Sequence, residues 1–213
     1  MSSTRIAPIV EGHGEVEAFP ILPRRIGLSI APNEHVDILR PVRLSRSKLL
    51  RRTSDDQVVI DTAECQRAVA LAAKKLEHGE PAQASFVLML LDADRDCPAQ
   101  VVPELQNVAR GTDSRVDVAC VLANIEYETW FVAGADSLRD YLRIDMESIP
   151  LHPEASRTGK KWIEQRTIRN KYSETVDQPK LSAMMNLERC RERSPSFDKL
   201  WREIERRIRN ESA

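Results

Sequence analysis

The segment "ASFVLMLLDAD" (Ala84–Asp94) constrains the chain most. Six consecutive large apolar residues, Phe86 to Leu91, leave no polar side for water. Such a strand is buried on both faces, as in the middle of a parallel sheet. Parallel neighbours need crossovers, usually helices, and the flanking sequence supplies both. "RIAPIV" (Arg5–Val10) reads as a strand ending at Glu11, "VDILRPVRL" (Val36–Leu44) alternates as a strand does, and "VDVACVLA" (Val116–Ala123) is a fourth. Between them lie segments of helical period. One runs from Glu15 to about Gly27 through Val16, Phe19, Leu22 and Ile26, kinked or shortened by Pro20 and Pro23. A second covers residues 60–78 and stops at Gly79 and Pro81; a third runs from about Ala99 to Arg110. This order predicts an α/β fold: an open, mostly parallel four-stranded sheet with helices on both sides.

Strand signals stop after about residue 136. Residues 1–135 therefore read as the α/β domain, and 136–213 as a helical C-terminal extension packed on it. Within the extension, "SRTGKKW" (Ser156–Trp162) reads as a loop entering a helix. The last helix is marked by Phe197, Leu200, Trp201, Ile204 and Ile208 on one face, after the start signal Ser194-Pro195.

No apolar run approaches the ~20 residues that span a bilayer, and the N-terminus has no signal-peptide core. The cysteines (Cys65, Cys97, Cys120, Cys190) form no CxxC pair, which argues against structural zinc and a disulfide framework and for a cytoplasmic location. Cys97 and Cys120 read as small buried apolar residues. The net charge of −1 hides an asymmetry. Residues 1–150 carry 17 Lys/Arg against 23 Asp/Glu, and residues 151–213 carry 15 against 10. A metal site with a polyanion-binding surface, or ordinary solvated helix faces, accounts for it equally well.

Open α/β sheets place their sites beyond the carboxyl ends of the strands. Three of the four strands end in acids there: Glu11, with Glu15 a turn later; Asp92 and Asp94, followed by Asp96; and, after Asn124, Glu126 and Glu128. The Gly-rich turn "EGHGEVEAFP" is not a phosphate cradle. It lacks the lysine and hydroxyl of a P-loop, Glu17 stands where a dinucleotide fingerprint needs its third glycine, and the acids around it repel a pyrophosphate. Its glycines instead let the chain leave the sheet sharply beside Glu11. Carboxylates converging at one sheet edge would repel one another without a cation, and Mg²⁺ or Mn²⁺ with oxygen ligands fits; independent helix caps and turns are the alternative.

At these residues the sequence resembles the TOPRIM domain of topoisomerases, primases and related nucleases, in which a strand ends in Glu-Gly and a later apolar strand ends in Asp-x-Asp. It resembles most a bacterial family of small stand-alone TOPRIM-like proteins of unknown function, through "IVEGHGEVEAFP", "LLDADRDCP", "NIEYETWFVAG", "SETVDQPKL" and "RERSPSFDKLW". The resemblance implies that Glu11 is a proton-transfer group or metal ligand and that Asp92 and Asp94 bind metal. Similarity to nucleases of the overcoming-lysogenisation-defect type adds Glu15, although Asp is usual there, and an acid after the next strand, Glu126 first and Glu128 second. It also implies a later lysine, for which Lys160 and Lys161 are the candidates.

Other residues have two readings. His13 contacts phosphate or is an exposed turn residue; Asp96 is an acid behind the site or, preferably, a helix cap before Pro98. Tyr127 and Trp130 read as core, and Tyr172 is not placed as a topoisomerase nucleophile. Arg189, Arg191 and Arg193, with the arginines of the last helix, read mainly as a solvated, paired surface. The expected function is a Mg²⁺-dependent nuclease acting on DNA or RNA, associated by resemblance with ATPase-linked mobile-element defence. The alternative is a non-catalytic nucleic-acid-binding or regulatory subunit of an ATPase partner. Phosphatases and sugar-nucleotide transferases also use DxD motifs, but neither accounts for Glu11.

Overall fold

In the computed structural model the described residues are 3–78, 82–155, 159–168 and 171–209. The main sheet is built from β1 (Ser3–Val10), β2 (His35–Ile38), β3 (Val42–Arg43), β6 (Ala84–Asp92) and β7 (Asp117–Ala123). Every pairing in it is parallel, in the order β2-β1-β6-β7, with β3 also beside β1. The mostly parallel sheet expected from the apolar runs is therefore present. A separate antiparallel hairpin, β4 (Leu50–Arg52) with β5 (Val58–Ile60), lies outside it and has no counterpart in the sequence expectations.

The single strand expected over Val36–Leu44 is two pieces, and two prolines explain the gap. The amide of Leu39 donates to the Ile6 carbonyl (2.9 Å) and that of Leu44 to the Val10 carbonyl (2.8 Å), so even-numbered residues of β1 turn their polar groups toward β2 and β3. Pro8 falls between them with no N–H to offer. Opposite it Pro41 separates β2 from β3.

Side chains alternate strictly between two cores. Ile6, Val10, Phe86, Leu88, Leu90, Ala119 and Val121 pack into one. It also takes in α2 (Ile21–Ile30), α6 (Glu128–Ala133) and α10 (Pro195–Ile208). Ala7, Ile9, Val87, Met89, Leu91, Val118, Cys120 and Leu122 face the other, against α4 (Thr62–Leu76) and α5 (Pro98–Arg110). The expected kinked helix is two, α1 (His13–Ala18) and α2, parted at Phe19-Pro20. The short α3 (Arg46–Leu49) links β3 to the hairpin. The C-terminal segment supplies α7 (Gly159–Arg166), α8 (Glu174–Met184), α9 (Leu187–Arg193) and α10. Of "SRTGKKW", Ser156–Thr158 lie outside the described residues, as do Gly79 and Pro81 after α4.

The motif "RERSPSFDKLW" fastens this segment to the sheet. Ser194 caps α10 by accepting from the Phe197 amide (3.2 Å), and Pro195 opens the helix without needing a donor. Ser196 Oγ meets both the Asn124 amide (3.1 Å) and the Trp130 indole N–H (2.8 Å), while Glu154 accepts from the Ser196 amide (2.9 Å). Tyr127 and Trp130 are fully buried, as their apolar surroundings in sequence imply.

Because β1 connects outward to β2 while β6 connects to β7 on the other side, the strand order reverses between β1 and β6. Crevices form outside the carboxyl ends of strands at such a reversal. Glu11 and Asp92 stand there, one at the end of each strand.

Candidate functional site

Glu11 leaves β1 half-buried, and its Oε2 is sealed from solvent with no hydrogen-bond partner. An unpaired buried carboxylate oxygen is costly unless a proton or cation meets it. Burial and, next, the charge of Asp94 raise the Glu11 carboxyl above its ordinary range, against the opposing pull of Arg46 and two backbone groups.

Four residues on, Glu15 folds back over the turn. Its Oε2 accepts from the amides of Glu11 (2.9 Å) and Gly12 (2.6 Å), satisfying two donors that α1 cannot reach. Only 6 % of Glu15 is exposed. Burial pushes its carboxyl up to about 7, the charges of Glu11 and Glu128 add to this, and the Gly12 and Glu11 amides oppose it.

Asp92 closes β6, its Oδ1 accepting from the Tyr127 amide (2.8 Å). Burial drives its carboxyl well above the usual range, reinforced in turn by the charges of Glu15, Glu128, Glu11 and Asp94. Asp94 follows at φ 51°, a left-handed conformation that Asp tolerates better than most residues. That turn lets its amide donate to the Ile125 carbonyl (2.8 Å), and its exposed carboxylate meets Arg46 Nη1 at 3.3 Å.

The acids after β7 are held by the C-terminal segment. Glu126 Oε1 accepts from the Lys160 amide (2.6 Å) at the start of α7; burial raises its carboxyl, and that amide opposes the rise. Glu128 is 4 % exposed, and its Oε1 accepts from the Tyr172 hydroxyl (2.7 Å) and from Gln178 Nε2 (3.0 Å). Tyr172 immediately precedes the "SETVDQPKL" motif and Gln178 lies within it, so that stretch serves Glu128. Lys160 Nζ pairs with Glu174 on the surface, which raises the lysine's pKa, and Lys161 is exposed.

Glu11, Glu15, Asp92, Asp94 and Glu128 thus form one electrostatically coupled cluster, with Glu126 at its edge. Among the described residues no three His, Cys, Asp or Glu side chains are arranged to hold one metal ion. The donor set still suits a hard cation. It is all carboxylate, it crowds negative charge, and it includes the orphaned Glu11 Oε2. Glu15, Asp92, Glu126 and Glu128 each spend one oxygen on protein donors and Asp94 meets Arg46, which leaves Glu11 Oε2 as the cluster's buried oxygen without a partner among the described residues.

The sequence reading missed Arg46. Its Nε donates to the Asp92 carbonyl (3.0 Å) and its Nη2 to the Ala93 carbonyl (3.3 Å), clamping the end of β6. Arg46 and Arg52 both bind the carboxylate of Asp96, whose side chain is 2 % exposed. Asp96 is therefore not the helix cap: Cys97 occupies that position in α5, and it is exposed rather than a buried apolar residue. The reason is the pair of arginines, which draw the acid inward and leave the cysteine outward. The signal was the basic run "RPVRLSRSKLLRR", in which a clamp and a solvated surface look alike. His13 is exposed at the start of α1. Arg189, Arg191, Arg193, Arg202, Arg206, Arg207 and Arg209 are all ion-paired with carboxylates.

Fold and site together define a parallel α/β protein with a cluster of acids where its strand order reverses. The chain belongs to the family described as a domain of unknown function, DUF4276, whose model matches residues 10–205. No curated protein and no solved structure matches it. No helix among the described residues is long and apolar enough to cross a membrane.

Proposed function

We infer that the chain is a TOPRIM-type hydrolase of nucleic-acid phosphodiesters, dependent on Mg²⁺ or Mn²⁺. The observation that carries this reading is the pairing of Glu11 and Asp92 across the strand-order reversal, with a buried, unpartnered Glu11 oxygen facing a cluster of acids. A divalent ion bound there would supply a nucleophilic water and neutralise charge on the phosphate. Asp92 and Asp94 would hold it. Glu11, with its raised proton affinity, is suited to exchange a proton with the attacking water or leaving oxygen. Glu15 and Glu126 would serve a second, weaker position through the oxygens they keep free. Arg46 fixes the backbone that carries Asp92. Lys160 and Lys161 would meet the polyanion, and DNA is the first substrate to try.

A specific observation supports a second reading. Arg46 pairs with Asp94, and four acids are engaged by protein donors, an arrangement suited to a non-catalytic subunit that binds nucleic acid or regulates an ATPase partner.

The test incubates purified protein with plasmid, single-stranded DNA and RNA in Mg²⁺, Mn²⁺ or EDTA, beside Asp92→Asn. Cleavage that needs the metal and Asp92 supports the hydrolase. Nucleic-acid binding without cleavage, or cleavage retained by Asp92→Asn, removes it.

A further inference from the structure

Beside the acids lies a cleft of about 380 Å³ lined by Arg46, Arg52, Asp94, Arg95, Asp96 and Ile125. An adjoining cavity of about 520 Å³ shares Arg52, Arg95 and Asp96, so the cleft continues away from the acids along the foot of α5. Volumes of this order accommodate a small ligand or a stretch of a larger one. We propose that this cleft seats a phosphate group, next to the position where the acids would hold their ion. The proposal builds on the hydrolase reading, for which it would be the seat of a phosphate neighbouring the one attacked.

Three features carry it. The first is charge. Three arginines against two aspartates line the cleft, beside a cluster of acids and in a molecule whose net charge is −1. The second is rigidity. Arg46 spends its donors on two β6-end carbonyls and on Asp94 and Asp96, while Arg52 is held by Asp96 and by both the carboxylate and the carbonyl (3.2 Å) of Asp56. Burying Asp96 between two guanidiniums, with Asp94 on Arg46 and Asp56 on Arg52, fixes both. The third is availability. Arg95 is exposed and, among the described residues, makes no hydrogen bond or ion pair, although it stands between two aspartates. A guanidinium presents a planar fork of donors that matches phosphate oxygens two at a time. Arg95 is the gripping residue, and the ion-paired Arg46 and Arg52 fix the wall beside it.

A phosphate could come from a polynucleotide backbone or be free, and the experiment separates the sources. A labelled single-stranded DNA 12-mer, thymidine monophosphate and inorganic phosphate are titrated into wild type, Arg95→Ala, Arg95→Lys and Arg115→Ala, in EDTA and in Mg²⁺. Arg115 is exposed and paired to Asp113, and serves as a charge control. The expected result is at least a tenfold loss of 12-mer affinity in Arg95→Ala, with a salt slope shallower by about one. Arg95→Lys should recover part of the loss, and Arg115→Ala should match wild type. A 12-mer that binds far better than the monophosphate or free phosphate identifies a backbone phosphate, whereas equal competition identifies a free one. Equal affinity and slope for wild type and Arg95→Ala, or no binding of any probe to wild type, overturns the seat. Binding that depends on Arg95 without metal-dependent cleavage keeps the seat and removes the hydrolase; cleavage with binding indifferent to Arg95 does the reverse. The Arg95 side chain is exposed and, among the described residues, unpaired, so Arg95→Ala should keep the wild-type melting temperature, which checks its folding.

Discussion

The amide of Tyr127 donates a 2.8 Å hydrogen bond to Asp92 Oδ1, so the acid ending the central strand is clamped by a residue that lies between two other acids of the cluster. Glu126 and Glu128 flank that amide. The segment after β7 therefore brings two carboxylates to the site and orients a third in a single turn.

Replacing Asp92 with Asn should keep the acceptor for the Tyr127 amide while removing a charge that burial and four neighbouring acids oppose. In EDTA the variant should melt higher than wild type. The gain should be about 1–2 kcal/mol, or roughly 2–8 °C for a chain of this size. It should also lose any stabilisation by Mg²⁺ or Mn²⁺. A lower melting temperature in EDTA would show that the Asp92 charge is welcome in the fold, against the burial argument.

Glu15 gives stability a pH dependence whose sign is fixed. Its folded-state carboxyl titrates at about 7, above the 4.5 of an ordinary glutamate, so the folded chain binds the proton more tightly than the unfolded one. The stability this contributes is complete below about pH 4.5 and is lost as pH rises through about 7. In EDTA the melting temperature should fall between pH 5 and pH 8 by several degrees, and Glu15→Gln should flatten that fall. A divalent ion bound to the cluster should oppose it. A melting temperature that climbs over this interval would contradict the assignment.

Gly14 lies against α8, where an added Cβ would stand 2.9 Å from the Glu174 carbonyl carbon and collide with the Gln178 amide. Gly14→Ala should cost about 2–4 kcal/mol, because the obstacle is backbone as well as a side chain that already serves Glu128. Chemical denaturation measures it. A loss below about 0.5 kcal/mol would mean that α1 and α8 separate easily.

Lys160 forms a surface pair with Glu174, with both side chains nearly half exposed. Such pairs add little, so Lys160→Ala should change stability by less than about 1 kcal/mol. If this lysine meets nucleic acid, Lys160→Ala combined with Lys161→Ala should weaken binding and make its salt dependence shallower. An unchanged salt slope would leave the two lysines as a solvated face.

The parallel sheet was legible because Phe86–Leu91 and Val118–Ala123 have no polar side, and the acids were legible because strands in such a sheet end at a common edge. The break at Pro41 was harder to read, since it depends on Pro8 occupying the matching place in another strand. The hairpin of Leu50–Ile60 was missed because its strands are short and separated by the polar turn "TSDDQ". Asp96 was misplaced for a related reason. Before a proline an aspartate looks like a cap, and only the fold reveals two arginines from 44 and 50 residues upstream competing for it. The sequence ranked Glu126 above Glu128 without access to their partners, which lie in α7, in α8 and two residues before α8.

The partners of Glu128, Tyr172 and Gln178, lie 44 and 50 residues downstream of it. During synthesis the sheet and most of its carboxylates leave the ribosome well before these two residues do. Until α8 docks, Glu128 stays open to water and the cluster lacks one wall. The segment through α8 therefore acts as a timer: the acid cluster takes its final form only after Tyr172 and Gln178 have been made, and a chain cut short after β7 would carry the acids without the arrangement.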